Sequence, residues 1–213
     1  MKKSGIFFFV YYPRPGLVKQ EIAREAGENI AAAIYHELIR YTFHHLSKLH
    51  EHSNIILFYY PYEDIEKIKA LFGEQEFNFE PMPKGGTIGE RLSRAFEYMF
   101  NIGFKKVVYA HIDSPSLSFN IVDQTIKLLN HYQAVIGPSE NGDIYLFGIK
   151  DDSNRALFLE EIAKLDSFRL NDTIDLCKNL ELSYTFLDES ISIDSLKDWE
   201  EFVKKLEDKQ KGE

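Results

Sequence analysis

The sequence predicts an α/β fold in which helices cover both faces of a largely parallel sheet. Segments with strand composition alternate with segments of helical periodicity along the chain. The run Val107-Val108-Tyr109-Ala110 is apolar throughout, which is typical of a strand buried on both faces. Because 213 residues with 44% hydrophobic content can bury one substantial core, we expect a single domain over residues 1–213.

The individual elements follow from local patterns, since apolar runs predict strands and apolar residues three or four apart predict helices. The predicted strands are Ile6–Tyr11, Ile55–Tyr59, Asn78–Met82, Lys106–Ala110, Ala134–Ile136, Asp143–Ile149 and Leu182–Leu187. The predicted helices are Val18–Leu49, which Gly27 either bends or divides, Asp64–Phe72, Ile88–Phe100, Ile121–Leu129, Arg155–Ala163, Thr173–Asn179 and a terminal helix from Ser195. The charged residues 204–213 are expected to fray into solvent.

Composition excludes several classes of function. The net charge is −9 and no basic stripe is present, which argues against nucleic acid as a partner. The first apolar run, Ile6 to Tyr12, is too short to cross a bilayer, so a membrane partner is not expected. The single cysteine, Cys177, excludes an internal disulfide and fits a cytoplasmic location.

Asp113 is the strongest candidate for chemistry, because it follows the buried strand within Asp113-Ser114-Pro115-Ser116. In α/β sheets, ligands bind at the carboxyl ends of the strands. With a second acid brought close by the fold, Asp113 is suited to hold Mg²⁺ or Mn²⁺ against a nucleotide's phosphates. The alternative is that Asp113 only caps a turn or the next helix.

The loop from Pro13 to Lys19 joins the first predicted strand to the first helix. Free backbone N–H groups at the start of that helix, with Arg14 and Lys19, would suit phosphate oxygens. The loop lacks the glycine spacing of a Walker or dinucleotide-binding loop. The alternative is an ordinary strand–helix turn with solvated cations.

A second loop precedes the helix that begins near residue 88. Thr87 and Glu90 form a predicted capping box, and Gly85 and Gly86 directly before it would let a ligand approach the backbone. Arg91, in the first helical turn, could reach the same ligand. Helix capping is expected in either case, and ligand contact is an additional hypothesis.

Two further acids lie in loops. Glu140, in the turn-rich stretch 137–142, is either a ligand-orienting acid or an ordinary turn residue. Asp194 lies just before a second predicted capping box, Ser195 with Asp198, and is either a site residue or a turn acid. His111 precedes Asp113 by two residues, so the two side chains should face the same side.

Five segments, in chain order, resemble the motifs of one family. They are Pro13–Lys19 (Pro-Arg-Pro-Gly-x-Val-Lys in the family), Gly86–Arg91 (Gly-x-Leu-Gly-Glu-Arg), Ile112–Leu117 (Thr-Asp-Ser-Pro-x-Leu), Gly137–Leu146 (Gly-Pro-Ala-x-Asp-Gly-Gly-Tyr-Tyr-Leu) and Ile193–Ser195 (Val-Asp-Thr). The chain thus resembles the glycosyltransferase-A-like proteins called radical-SAM/selenodomain-associated transferases, which are similar to phospholactate guanylyltransferase. The resemblance extends from the first strand to about Asp198.

This resemblance implies a nucleotide-diphospho-sugar transferase fold, with three α/β/α layers around a mixed, mostly parallel sheet. It implies metal-dependent transfer from a nucleotide or nucleotide-sugar to a small-molecule acceptor, with a homodimer as the default assembly. Asp113 and Lys19 would be catalytic, and Asp113 and Asp194 would hold Mg²⁺ or Mn²⁺. The nucleotide-binding residues it implies are Arg14, Gly16, Lys19, Gly85, Gly86, Glu90, Arg91, Ser114 and Glu140.

The chain departs from the family pattern at two places. After Lys19, the family's Thr-Arg-Leu becomes Gln20-Glu21-Ile22, which puts an acid in place of a cation. The family's Asp-Gly-Gly-Tyr becomes Asn141-Gly142-Asp143-Ile144 here, which removes one acid and one aromatic residue. Two hypotheses therefore stand: a metal-dependent nucleotidyl- or glycosyltransferase, or a catalytically degenerate binding or assembly module that retains the fold.

Overall fold

A computed structural model describes residues 4–46, 54–73 and 77–211. Its strands are β1 (Ser4–Tyr11), β2 (Asn54–Tyr60), β3 (Asn78–Pro81), β4 (Lys106–Ala110), β5 (Ala134–Pro138), β6 (Ile144–Lys150) and β7 (Tyr184–Phe186). Its α-helices are α1 (Gln20–Ala26), α2 (Glu28–Leu46), α3 (Ile65–Ala70), α4 (Ile88–Asn101), α5 (Phe119–Leu128), α6 (Arg155–Ala163), α7 (Leu170–Asn179) and α8 (Leu196–Lys211). Within these described ranges, no helix combines the length and the apolar character needed to cross a membrane.

The strands form one seven-stranded sheet in the order β3-β2-β1-β4-β6-β5-β7. β6 is antiparallel to both of its neighbours, β4 and β5, whereas the other pairs are parallel. The carboxyl ends of β1, β2, β3, β4, β5 and β7 therefore lie along the same edge of the sheet. The loops that follow β1 and β4 meet there because those two strands are direct neighbours.

Alternation along β1 shows how the sheet is covered on both faces. Ile6, Phe8 and Val10 pack in one core cluster, which contains buried residues of α2, α5 and α8. Phe7 and Phe9 point the other way, into a second cluster built with α4, α6 and α7. The predicted three-layer arrangement around a mixed, mostly parallel sheet is confirmed.

The long first helix is divided at Gly27, one of the two outcomes the sequence allowed. Gly27 has a φ of 95°, a left-handed conformation that ends α1 before α2 begins. α1 begins at Gln20 rather than Val18, because Lys19 is itself left-handed, with φ 49° and ψ 57°. The end of the predicted helix, residues 47–49, lies outside the described residues.

The last two elements differ in length from the prediction. β7 pairs with β5 over only three residues, although the Leu187 N–H still donates to the Ile136 carbonyl oxygen at 2.8 Å. Leu182 and Leu187 are buried in the two core clusters. α8 is helical up to Lys211, although residues from Lys204 onward were expected to fray. Leu206 packs against the core from this segment, which gives the helix an apolar contact beyond Phe202.

The loop after β1 is tied to the turn after β2 by a buried carboxylate. Asp64 accepts hydrogen bonds from Arg14 and, at 2.9 Å, from Lys67 Nζ. Glu63 adds an ion pair to Arg14 at 3.6 Å. Both loops lie at the carboxyl edge of the sheet, so this pairing fixes the segment that leads to Lys19.

We predict that Gly89→Ala destabilises the protein by about 1–3 kcal/mol, the range for an overpacked core position. A Cβ at Gly89 would lie 2.2 Å from the carbonyl oxygen of Ile162 and 2.5 Å from that of Leu165. Backbone atoms cannot rotate away, so α4 and α6 would have to separate. Urea denaturation measures the loss, with Glu97→Ala on the exposed face of α4 as the matched control. Equal stability of the two variants would contradict the prediction.

We also predict an acid-dependent contribution from Asp64. Its hydrogen bond with Lys67, with a further contribution from Arg14, lowers the pKa of the Asp64 carboxyl below its usual 3.8. The stabilisation is therefore present above pH 3.8 and is lost as the pH falls through the folded-state pKa. The difference in Tm between wild type and Asp64→Asn should shrink below pH 3.8. Glu66→Gln, at an exposed acid in α3, is the control, and a pH-independent difference for Asp64→Asn would refute this account.

Candidate functional site

Lys19 lies at the centre of a charge cluster at the carboxyl edge of the sheet. Its Nζ is 2.8 Å from Asp113 Oδ2 and 3.4 Å from Asp194 Oδ1, and it also donates to the carbonyl oxygen of Ile193. The Lys19 side chain is only 7% exposed, compared with 25% for Asp113 and 39% for Asp194. Two acids from distant parts of the chain thus converge on one buried ammonium group.

The position of Asp113 is set by contacts between its loop and the segment after β7. Ile193 N–H donates to the backbone oxygen of Asp113 at 2.9 Å. The buried hydroxyl of Ser114 lies 3.1 Å from Ser190 Oγ and donates to the carbonyl oxygen of Ile191 at 3.1 Å. Ser114, expected to contact a nucleotide, uses its hydroxyl in this structure to join the two segments that carry the acids.

Asp194 is held on its other side by Asn141, whose Nδ2 donates to Asp194 Oδ2 at 2.5 Å. Arg169 supports this turn by donating to the Asn141 carbonyl oxygen at 3.1 Å and to Asp143 Oδ1 at 2.7 Å. An amide therefore stands where the family pattern has an acid, and it serves as a hydrogen-bond donor. The sequence analysis identified Asn141 only as a departure from the family pattern, and no motif indicated that Arg169 belongs to the site.

A cavity of about 250 Å³ adjoins the charge cluster. Lys19, Asp113 and His111 line it together with Tyr11 and Tyr35. Burial lowers the pKa of His111, against the opposing effect of the nearby Asp113 carboxylate. The His111 imidazole is therefore neutral at pH 7, on the same side of the sheet edge as Asp113, as its spacing predicted.

Tyr35 lines the same cavity, and the sequence analysis did not identify it as a site residue. Its hydroxyl accepts a hydrogen bond from the Tyr11 backbone N–H at 3.2 Å. Burial, followed by the charge of Asp113, raises the pKa of Tyr35 well above 10, so its hydroxyl remains protonated. Its position in α2 at helical spacing gave no reason to distinguish it from core residues.

The start of α4 borders the same cavity. Thr87 Oγ1 accepts from the Glu90 N–H at 3.1 Å, which confirms one half of the predicted capping box. In place of the other half, the Glu90 carboxylate accepts from the exposed Gly86 N–H at 2.7 Å. Arg91 Nη1 donates to the Tyr11 hydroxyl at 3.0 Å. Arg91 therefore contacts a residue that lines the cavity, Tyr11. Gly85 and Gly86, just before α4, are exposed.

The remaining predicted site residues lie apart from Lys19. Arg14 is engaged with Asp64 and Glu63, as described above. Gly16 has a φ of 79°, and a Cβ there would lie 3.3 Å from the carboxylate of Glu28. Glu140 is exposed and lines a different cavity, of about 320 Å³.

Glu21, the acid that replaces a family cation, has its charge offset locally. Its carboxylate lies 2.5 Å from Arg24 Nη2, three residues further along α1, and both side chains are exposed. Pairs at this spacing are neighbours on a helix surface. Repulsion between Glu21 and a phosphate at Lys19 is therefore weaker than the sequence alone suggested.

The acid pair fits a hard divalent cation. Asp113 Oδ1 is buried and has no hydrogen-bond partner among the described residues, so it is free to accept a further ligand. Mg²⁺ is usually held by one or two carboxylates together with substrate phosphates and water. No group of three or more His, Cys, Asp or Glu side chains suited to a metal occurs within the described ranges. Asp113 and Asp194 therefore suit a cation that takes its other ligands from substrate and solvent.

Solved structures with the same fold were found by comparison, whereas no curated protein matches the chain. A candidate nucleotide-diphospho-sugar transferase from Desulfovibrio desulfuricans G20 is 29% identical, over 92% of this chain and 84% of its own, with a TM-score of 0.78. Rv0371C from Mycobacterium tuberculosis H37Rv, in complex with manganese, is 10% identical over 94% and 97%, with a TM-score of 0.59. CMP:2-keto-3-deoxy-manno-octonic acid synthetase, complexed with CTP, is 10% identical over 98% and 100%, with a TM-score of 0.59.

These similarities identify the architecture as that of the nucleotide-diphospho-sugar transferases. A family model also matches residues 45–163, which is more than half of the chain. That region includes β2 to β6 and the Asp113 loop. The chain belongs to the family described as uncharacterized protein conserved in bacteria (DUF2064).

Proposed function

We propose that this protein is a metal-dependent transferase that acts on a nucleotide or a nucleotide-sugar. The observation that carries the proposal is the convergence of Lys19, Asp113 and Asp194 at the carboxyl edge of the sheet. Such an edge is where α/β folds bind their ligands. The resemblance to radical-SAM/selenodomain-associated transferases and to phospholactate guanylyltransferase is consistent with this function and remains a prediction.

In this proposal the phosphate end of the nucleotide lies beside Lys19. The cavity of about 250 Å³ is smaller than the roughly 300–1,000 Å³ of pockets that enclose a whole small molecule. It therefore receives part of the nucleotide, while the rest extends along the exposed edge. Gly85 and Gly86 lie exposed beside this edge, where the Glu90 carboxylate already accepts from the Gly86 N–H. Arg91 supplies a nearby positive charge.

Asp113 and Asp194 would hold Mg²⁺ or Mn²⁺ against the phosphates. The bound cation would neutralise phosphate charge and so favour attack by the acceptor. The Lys19 ammonium would donate to a phosphate oxygen on which negative charge grows during the reaction. Asn141 would keep the Asp194 carboxylate turned toward the site.

Two transfers are compatible with this arrangement. In nucleotidyl transfer, an acceptor oxygen forms a bond to the α-phosphorus, and the bond to the leaving pyrophosphate breaks. In glycosyl transfer, the acceptor oxygen forms a bond to the sugar carbon, and a nucleoside diphosphate leaves. In both, the leaving group is a phosphate with increased negative charge, which Lys19 is placed to stabilise.

A binding or assembly module that retains the fold is the second candidate. Asn141 favours it, because this residue lowers the number of carboxylates at the site relative to the family pattern. The other argument for degeneracy was that Glu21 replaces a family cation. The ion pair between Glu21 and Arg24 weakens this argument, because the carboxylate is not left unpaired beside the site. The two candidates differ in whether metal and nucleotide bind together.

Thermal unfolding with Mn²⁺ and each common nucleotide or nucleotide-sugar tests the proposal. A ligand at 100 times its Kd adds about 2.7 kcal/mol of stability, which corresponds to a Tm increase of roughly 5–10 °C for a chain of this size. We expect this increase for at least one ligand in wild type and its loss in Asp113→Asn. Asp123→Asn, at an acid on α5 that pairs with Lys127, is the matched control and should keep the increase.

The same experiment separates the two candidates. A folded wild-type protein that no nucleotide stabilises, with or without Mn²⁺, would contradict the transferase. An increase that is equal in wild type and Asp113→Asn would place the ligand away from the acid pair. For a ligand that does bind, release of pyrophosphate or of a nucleoside diphosphate distinguishes nucleotidyl from glycosyl transfer.

A further inference from the structure

We infer that Lys19 prevents a free divalent cation from binding to Asp113 and Asp194. These two acids would bind the cation only when it arrives in complex with a nucleotide's phosphates. This inference rests on the proposed function and specifies its ligand as the metal–nucleotide complex. It follows from the place of the Lys19 ammonium, which contacts both carboxylates at once. A cation that bridges Asp113 Oδ2 and Asp194 Oδ1 competes directly with Nζ, and a cation bound through the unpartnered Asp113 Oδ1 lies on the same carboxylate as the positively charged ammonium.

Displacing Lys19 is costly when nothing replaces its partners. The ammonium has three acceptors, namely Asp113, Asp194 and the Ile193 carbonyl oxygen, and its side chain is almost fully buried. A buried charge that loses its partners without gaining others is strongly unfavourable. A free Mn²⁺ or Mg²⁺ would impose this loss, because it brings no acceptor for the ammonium.

A metal–nucleotide complex removes that obstacle. Its phosphate oxygens offer the displaced ammonium new negatively charged acceptors, while its cation takes over the two carboxylates. The Lys19 backbone can stay in place, since its carbonyl oxygen accepts the Ala23 N–H at 2.8 Å and anchors the start of α1. Only the flexible four-carbon side chain must move.

Asn141 keeps the charges near balance before the ligand arrives. With an amide at this position, the cluster opposes two carboxylates to one ammonium. A third acid beside Asp194 would attract a free cation more strongly than one lysine could offset. The exclusion of free metal therefore depends on the neutral residue at 141 as well as on Lys19.

Binding of Mn²⁺ alone, followed by the electron paramagnetic resonance signal of the free ion, tests this inference. Wild type should bind free Mn²⁺ weakly, and Lys19→Met, which keeps the side-chain length but removes the charge, should bind it at least about tenfold more tightly. Lys19→Arg retains the charge and should stay at the wild-type affinity. Lys127→Met, at an exposed lysine on α5, controls for a lost surface charge and should also match wild type.

Lys19→Gln supports the same test if Lys19→Met does not fold, because its amide can still donate to one carboxylate. Far-ultraviolet circular dichroism verifies folding of each variant. Free Mn²⁺ that binds wild type as tightly as the neutral variants would overturn the inference. A gain in Lys19→Arg equal to that in Lys19→Met would overturn it as well, since charge would not be the cause.

A second arm adds the nucleotide that stabilises wild type, as its Mn²⁺ complex. The order should reverse, so that Lys19→Met binds the complex at least about fivefold more weakly than wild type. The arm with metal alone needs no nucleotide and gives a result even if the proposed function fails. Failure of the metal exclusion, with nucleotide binding intact, would leave the transferase proposal standing.

Discussion

The contact of one buried ammonium with two carboxylates is the interaction on which the candidate site of this protein depends. Without Lys19, the Asp113 and Asp194 charges would face each other across a partly buried space, where repulsion is weakly screened. With it, three segments that lie between 81 and 175 positions apart in sequence come together at one point. Lys19 makes this contact from a left-handed backbone conformation at the N-cap of α1.

The sheet supplies the geometry that this contact requires. β1 and β4 are parallel neighbours, so the loops that carry Lys19 and Asp113 leave the sheet side by side. Asp194 reaches the same edge because β7 is parallel to β5, while the reversed β6 places β5 two positions from β4. Because β6 lies between β4 and β5, the segment after β7 must extend back along the sheet edge to bring Asp194 next to Asp113.

Much of this architecture could be predicted because it depends on local patterns. The alternation of strands and helices, the division at Gly27 and the cap at Thr87 follow from residue types at short spacing. Asp113 stood out through its place behind a buried strand, whereas Asp194 gained weight only through the family resemblance. The pairing of Arg14 with Asp64 and the donation from Asn141 to Asp194 join residues 50 and 53 positions apart, and no local pattern encodes such contacts.

The hydroxyl contact between Ser114 and the segment around Ser190 has a consequence for biosynthesis. A ribosome releases the Asp113 loop into solution long before residues 190–194 have been translated. Until they emerge, Ser114, Asp113 and Lys19 lack several of the partners that they have in the finished domain. The charge cluster around Lys19 can therefore form only after the chain has been translated through Asp194.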